Sequence, residues 1–96
     1  MTTVAYHFWS PTCQPCKVIK PSIEQLKEEF SGVQWISVNL HEDPHDYALK
    51  YKVTVVPTIV VETLKDNKSI LIEKQSGTNL INYYRILRNS IRQLSL

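Results

Sequence analysis

The sequence predicts an α/β domain, a four-stranded mixed sheet with helices on both faces in the order β-α-β-α-β-β-α. Three observations carry that prediction. Apolar, β-rich segments alternate with helical patterns in the first half of the chain, which favours a parallel strand pair joined by a right-handed crossover. Two strand-like segments follow each other closely between residues 53 and 75, which favours a hairpin. After Gly77, apolar side chains recur at steps of four and three, the period of a helix. With 96 residues the chain is long enough for one core and too short for two, so residues 1–96 are expected to form a single domain.

The elements follow in order. "TVAYHFW" (3–9) is apolar and β-rich, and the break "SPT" separates it from a helical pattern over Cys13 to Phe30. Val18, Ile19, Ile23, Leu26 and Phe30 give that helix its expected buried stripe, and Lys20, Glu24, Lys27 and Glu28 its polar side. Pro15 suits a first helical turn, where no N–H is needed, whereas Pro21 lies inside and is expected to kink the helix. "SG" (31–32) ends it, and "VQWISVNL" (33–40) reads as the second strand. The polar turn "HEDPHD" (41–46) leads into a short helix around "YALKYK" (47–52). A β-branched run, "VTVVPTIVVE" (53–62), is interrupted by Pro57, and "SILIEKQ" (69–75) follows the turn "KDNK" (65–68). The last helix carries Leu80, Tyr84, Leu87, Ile91 and Leu94 as its expected apolar stripe and Arg85, Arg88 and Arg92 as its wet face.

Composition leaves several classes of function without support. Hydrophobic residues make up 43% and charged residues 21% of the chain, the balance of a folded domain. A formal charge of +2 gives no electrostatic reason to expect nucleic acid or an anionic membrane as partner. No stretch approaches the ~18 consecutive apolar residues of a membrane span. "MTTVAYHFW" has neither the basic start nor the cleavage pattern of a signal peptide, so a cytoplasmic location is expected.

The chain holds two cysteines, both in "FWSPTCQPCKVIK", two residues apart at a strand-to-helix junction. In a reducing compartment such a pair points to redox chemistry or metal rather than to a structural bridge. At the start of a helix, unpaired backbone N–H groups and the helix dipole favour a thiolate, so Cys13 is expected to have a lowered pKa and to attack disulfide sulfur. Cys16, one turn inward, is placed to resolve the mixed disulfide by attacking Cys13. A structural disulfide closing so short a loop stabilises little. Zinc normally takes four ligands, and beyond the cysteines the chain offers His7, His41 and His45 with no second paired motif, so no metal site is expected. His41, Asp43 and His45 read as solvated turn residues. Pro57 at the entry of a strand is the second clue, because a proline there cannot donate to a central ladder.

Together "WSPTCQPCK" (9–17), Pro21, "VNLHEDPHDYALKYKVTVVPT" (38–58) and Gly77 before the last helix closely resemble thioredoxins. The resemblance runs from about residue 3 to the C-terminus. It implies a thioredoxin-like fold and protein disulfide reduction by dithiol-disulfide exchange, with a redox-active Cys13–Cys16 disulfide and no bound cofactor. It also implies roles: Cys13 attacking, Cys16 resolving, and Pro57 as a cis-proline facing them. Substrate would be contacted by Trp9, Thr12, Gln14, Pro15, the Val56 backbone, Pro57 and Gly77. The implied partners are disulfide-containing proteins and, as electron donor, a flavoprotein reductase using NADPH. Disulfide oxidation or isomerisation, and a nonredox interaction module, are the alternative functions.

The chain departs from the family pattern at four places. It starts at the segment where thioredoxins usually have a strand and helix before it, which would leave 33–39 as a sheet edge open to self-association around Trp35 and Ile36. His7 stands where the family has a buried aspartate, and is either a proton shuttle for the resolving thiol or a neutral core histidine. Thr12 and Gln14 replace the usual tryptophan and glycine beside the first cysteine. Asn67 replaces the usual hairpin glycine and is expected to take its left-handed conformation.

Overall fold

The computed structural model describes residues 2–94 and contains seven elements in the expected order: β1 (Thr2–Trp9), α1 (Gln14–Glu29), β2 (Gln34–Asn39), α2 (Tyr47–Lys50), β3 (Thr58–Lys65), β4 (Lys68–Ser76) and α3 (Leu80–Leu94). The sheet order is β2-β1-β3-β4. β1 pairs parallel with β2 and antiparallel with β3, and β3 pairs antiparallel with β4. This is the mixed sheet and terminal hairpin that the pattern predicts.

Side-chain alternation along β1 sorts the core into two layers. Ala5 points with Ile59 and Val61 of β3 toward α1 and α3, where it meets Ile19, Ile23, Leu26, Tyr83, Ile86 and Leu87. Val4, Tyr6 and Phe8 point the other way, into a layer closed by Val38, Val60, Tyr51 and Val53, with Tyr47 and Ala48 of α2 against it. Helices therefore cover both faces. His7 shares the parity of Ala5 and so lies on the α1 side of the sheet.

Three expectations need correction. The buried stripe of α1 consists of Cys16, Ile19, Ile23 and Leu26, closed by Phe30, whereas Val18 is 66% exposed. One residue of helix is 100° of rotation, so Val18 and Ile19 cannot both face the sheet centre, and the small Cys16 continues the three-and-four spacing. In α3 the buried set is Tyr83, Ile86, Leu87 and Ser90, while Ile91 is exposed. Ser90 is accepted there because its hydroxyl meets those of Thr3 at 2.7 Å and Thr63 at 2.5 Å. The 53–62 run divides at Pro57 as expected: β3 begins at Thr58 and extends to Lys65, leaving 53–57 as irregular backbone that carries Pro57. α2 ends at Lys50 rather than Lys52, where a positive φ of 56° turns the chain out of the helix.

Other local readings agree with the geometry. Asp66 and Asn67 both have positive φ, 54° and 63°, and join β3 to β4 as a two-residue loop matched to the twist of the hairpin. β2 forms one edge of the sheet, with Trp35 and Ile36 half-buried on opposite faces. Trp35 Nε1 donates to the Phe30 carbonyl at 3.1 Å, satisfying an acceptor at the end of α1.

Candidate active site

The C-terminal end of β1 and the start of α1 bring the two cysteines to one end of the sheet. Cys13 is the N-cap of α1 in extended conformation, and Pro15 occupies the first turn. The Cys16 backbone N–H donates to Cys13 Sγ at 3.2 Å, so a sulfur takes the place that a hydroxyl or carboxylate oxygen holds in most helix caps. Cys13 and Cys16 form a disulfide with their Cα atoms 5.2 Å apart. Cys13 is half-buried and Cys16 only 5% exposed, so Cys13 is the more accessible residue of the pair.

The loop entering β3 faces this cap. Cys13 Sγ lies 3.6 Å from the Val56 carbonyl oxygen, and the Val56–Pro57 bond is cis. Pro57 is buried and Val56 half-buried. The Gly77 N–H donates to the Pro57 carbonyl at 3.0 Å, and Gly77 has φ 102°, a conformation that needs glycine. The Tyr83 hydroxyl sits against the carbonyl oxygens of Pro57 and Gly77 and shares its proton between them. Burial pushes its pKa up to about 12, so it stays a donor. The sheet thus gathers Cys13, Cys16, Val56, Pro57 and Gly77 from three separate segments.

The remaining residues expected at the site divide. Thr12, Gln14 and Pro15 are exposed around the cysteines. Trp9 is half-buried at the end of β1, its Nε1 donating to Ser37 Oγ at 2.7 Å. His7 is 7% exposed, and no partner reaches its Nε2. Burial, then the Lys27 charge, lower its pKa to about 4, with Glu24 opposing, so it is neutral near pH 7. His7 and Cys16 line one cavity of about 360 Å³.

Two residues read from sequence as solvated have structural work at this end. His41 Nε2 lies 3.1 Å from the Ser10 hydroxyl, which also contacts Thr12 Oγ1 at 3.0 Å and accepts from the Thr12 N–H at 3.3 Å. Ser10, buried and not singled out from sequence, therefore ties the loop that carries Cys13 to the turn after β2. Asp43 accepts from the N–H groups of Tyr47 at 3.1 Å and Ala48 at 2.9 Å, capping α2. A short polar side chain just before a helix was the available signal for Asp43. Nothing local signals the Ser10–His41 contact, which spans 31 positions.

Among the described residues no group of three or more His, Cys, Asp or Glu could hold a metal ion. Nor is any described helix long and apolar enough to cross a membrane.

The family model described as Thioredoxin matches residues 2–85. A thioredoxin of Mycoplasma genitalium is 41% identical over 58 residues, covering 60% of this chain and 56% of that protein. The chloroplastic thioredoxin M4 of Arabidopsis thaliana is 33% identical over 70 residues, covering 72% of this chain and 36% of that one. The matched segments thus span about half or less of these relatives. Among solved structures, Fasciola hepatica thioredoxin superposes with a TM-score of 0.77 at 28% identity, covering 93% of this chain and 81% of that one.

Proposed function

The chain belongs to the thioredoxin family, and on that premise we propose that residues 1–96 act as one domain that reduces disulfides in other proteins. One observation carries this most directly: Cys13 caps α1 and bridges to a buried Cys16, opposite the Val56 carbonyl. In the dithiol form the helix N-terminus stabilises a Cys13 thiolate. That thiolate attacks one sulfur of a substrate disulfide, forming a mixed disulfide and releasing the first substrate thiolate. Cys16 loses its proton and attacks Cys13 Sγ, closing the Cys13–Cys16 bond and releasing the second. Two electrons pass from the protein to the substrate.

The Val56 backbone and Gly77 lie where an extended substrate segment would pair, with Trp9, Thr12, Gln14, Pro15 and Pro57 around it. His7, neutral and sharing a cavity with Cys16, is the group we assign to receive the Cys16 proton. An NADPH-dependent flavoprotein reductase is the proposed source of electrons, and a reducing cytoplasm the proposed setting. The open edge of β2 supports pairing with a second copy, a proposal that a strict monomer in light scattering at high concentration would remove.

The reductase reading is tested by equilibrating the protein in thiol-disulfide buffers and alkylating free Cys13 and Cys16. A reversible two-electron transition near roughly −270 mV supports it. A transition at about −180 to −120 mV assigns isomerase or oxidant chemistry instead.

A further inference from the structure

The Val56 carbonyl that faces Cys13 belongs to irregular backbone, residues 53–57, so no strand ladder fixes its direction. Its chain neighbours are tied down by side chains instead. The Ser76 hydroxyl donates to Thr58 Oγ1 at 2.7 Å, and the Thr58 hydroxyl donates in turn to the Val55 carbonyl at 2.7 Å. On the other side, the Pro57 carbonyl accepts from the Gly77 N–H and from the Tyr83 hydroxyl, which also reaches the Gly77 carbonyl. The carbonyls of Val55 and Pro57 are thus satisfied inside the fold. That of Val56 faces Cys13 Sγ at 3.6 Å, and a disulfide sulfur has no proton to offer it. A half-buried acceptor in that position suits an N–H of an extended peptide. Tyr83 itself is fully buried and packs in the core layer with Ile59, where a phenylalanine would fill the same space. Its hydroxyl is what crosses from α3 to the two backbone segments.

We propose that Tyr83 is a positioning residue for substrate: its hydroxyl fixes Pro57 against Gly77 and so presets the Val56 carbonyl to pair with an extended peptide segment beside the substrate disulfide. This rests on the disulfide-reductase reading and adds a substrate class to it. A loop held in place by a side chain of a packed helix spares the substrate the cost of ordering it. That benefit reaches only substrates long enough to lie along the loop. Tyr83 therefore favours disulfides in extended peptide segments over small ones.

The test uses the reduced protein in single turnover, with the Cys13–Cys16 disulfide it forms read by mass after acid quench and alkylation. Two probes are compared: hydroxyethyl disulfide, too small to lie along the loop, and a linear peptide whose central cysteine is disulfide-bonded to mercaptoethanol. In Tyr83→Phe the half-saturating peptide concentration should rise about fivefold, while the limiting rate and the rate constant for the small probe stay within about twofold of wild type. The small probe also reports that the variant is folded. Tyr84→Phe is the control: it loses a hydroxyl on the same helix that donates to Glu29 at 3.3 Å, and it should match wild type with both probes. An unchanged half-saturating concentration in Tyr83→Phe, an equal loss with both probes, or the same rise in Tyr84→Phe would overturn the proposal. Each of those results leaves the reductase reading standing, whereas a wild type that reduces neither probe removes that reading and this inference with it.

Discussion

Cys13 Sγ stands 3.6 Å from the carbonyl oxygen of Val56, although 43 positions separate the two residues. The sulfur proposed to attack and the backbone acceptor proposed for substrate thus lie side by side, brought together because β1 and β3 are neighbours in the sheet. Replacing Cys16 with Ser should leave a covalent mixed disulfide between Cys13 and its substrate, visible as a mass increase lost on reduction. Cys13→Ser should form no adduct. Steady-state reduction should fall by roughly a thousandfold or more in both, since each removes a group that the sequence of two attacks cannot do without.

Tyr83 links the Pro57 loop to Gly77 through one hydroxyl. Tyr83→Phe keeps the ring's packing and strands two carbonyl oxygens, of which that of Pro57 retains the Gly77 N–H. A loss of about 1–2 kcal/mol is expected. For a domain of this size that is roughly a 5–15 °C drop in Tm. An unchanged melting curve would show that water replaces the hydroxyl without cost.

His7 makes stability depend on pH in a defined window. Its pKa is lowered from 6.5 to about 4 in the folded protein, so the unfolded chain binds the proton more tightly. The stability that comes from keeping His7 neutral is fully present above pH 6.5 and is lost as pH falls toward 4. The difference corresponds to about 3 kcal/mol. Denaturant unfolding of wild type and His7→Leu should show the slope in wild type alone across that window. Parallel curves would mean that the imidazole ionises freely in the fold.

The Ser10 hydroxyl holds Thr12 and His41 together. Ser10→Ala should leave the fold intact and loosen the loop before Cys13. Hydrogen exchange at the Thr12 amide should accelerate about tenfold, equivalent to about 1.4 kcal/mol of lost local protection.

Much of this architecture is legible from residues that act locally. The N-cap position of Cys13, the proline tolerated in the first turn of α1 and the left-handed Asn67 each follow from preferences acting within a few residues. The period-two alternation of β1 places His7 on the face opposite Tyr6 and Phe8. The phase of the amphipathic helices is less legible. In α3, apolar residues at 80, 81, 83, 84, 86, 87 and 91 allow more than one stripe, and packing against β3 selects Tyr83, Ile86 and Leu87. In α1, the rotation that buries Ile19, Ile23 and Leu26 also buries Cys16 and turns Val18 to water.

By itself the sequence determined the order of elements, the position of the thiols at a helix start and the chemistry those thiols can perform, because periodicity, capping and thiolate stabilisation are short-range effects. Only the tertiary structure decided that His7 shares a cavity with Cys16 and three lysines, that Ser10 meets His41, and that Tyr83 joins Pro57 to Gly77. These relations depend on strand order and helix rotation. Both are set by burying the greatest apolar area at once, a condition on the whole chain rather than on any segment of it.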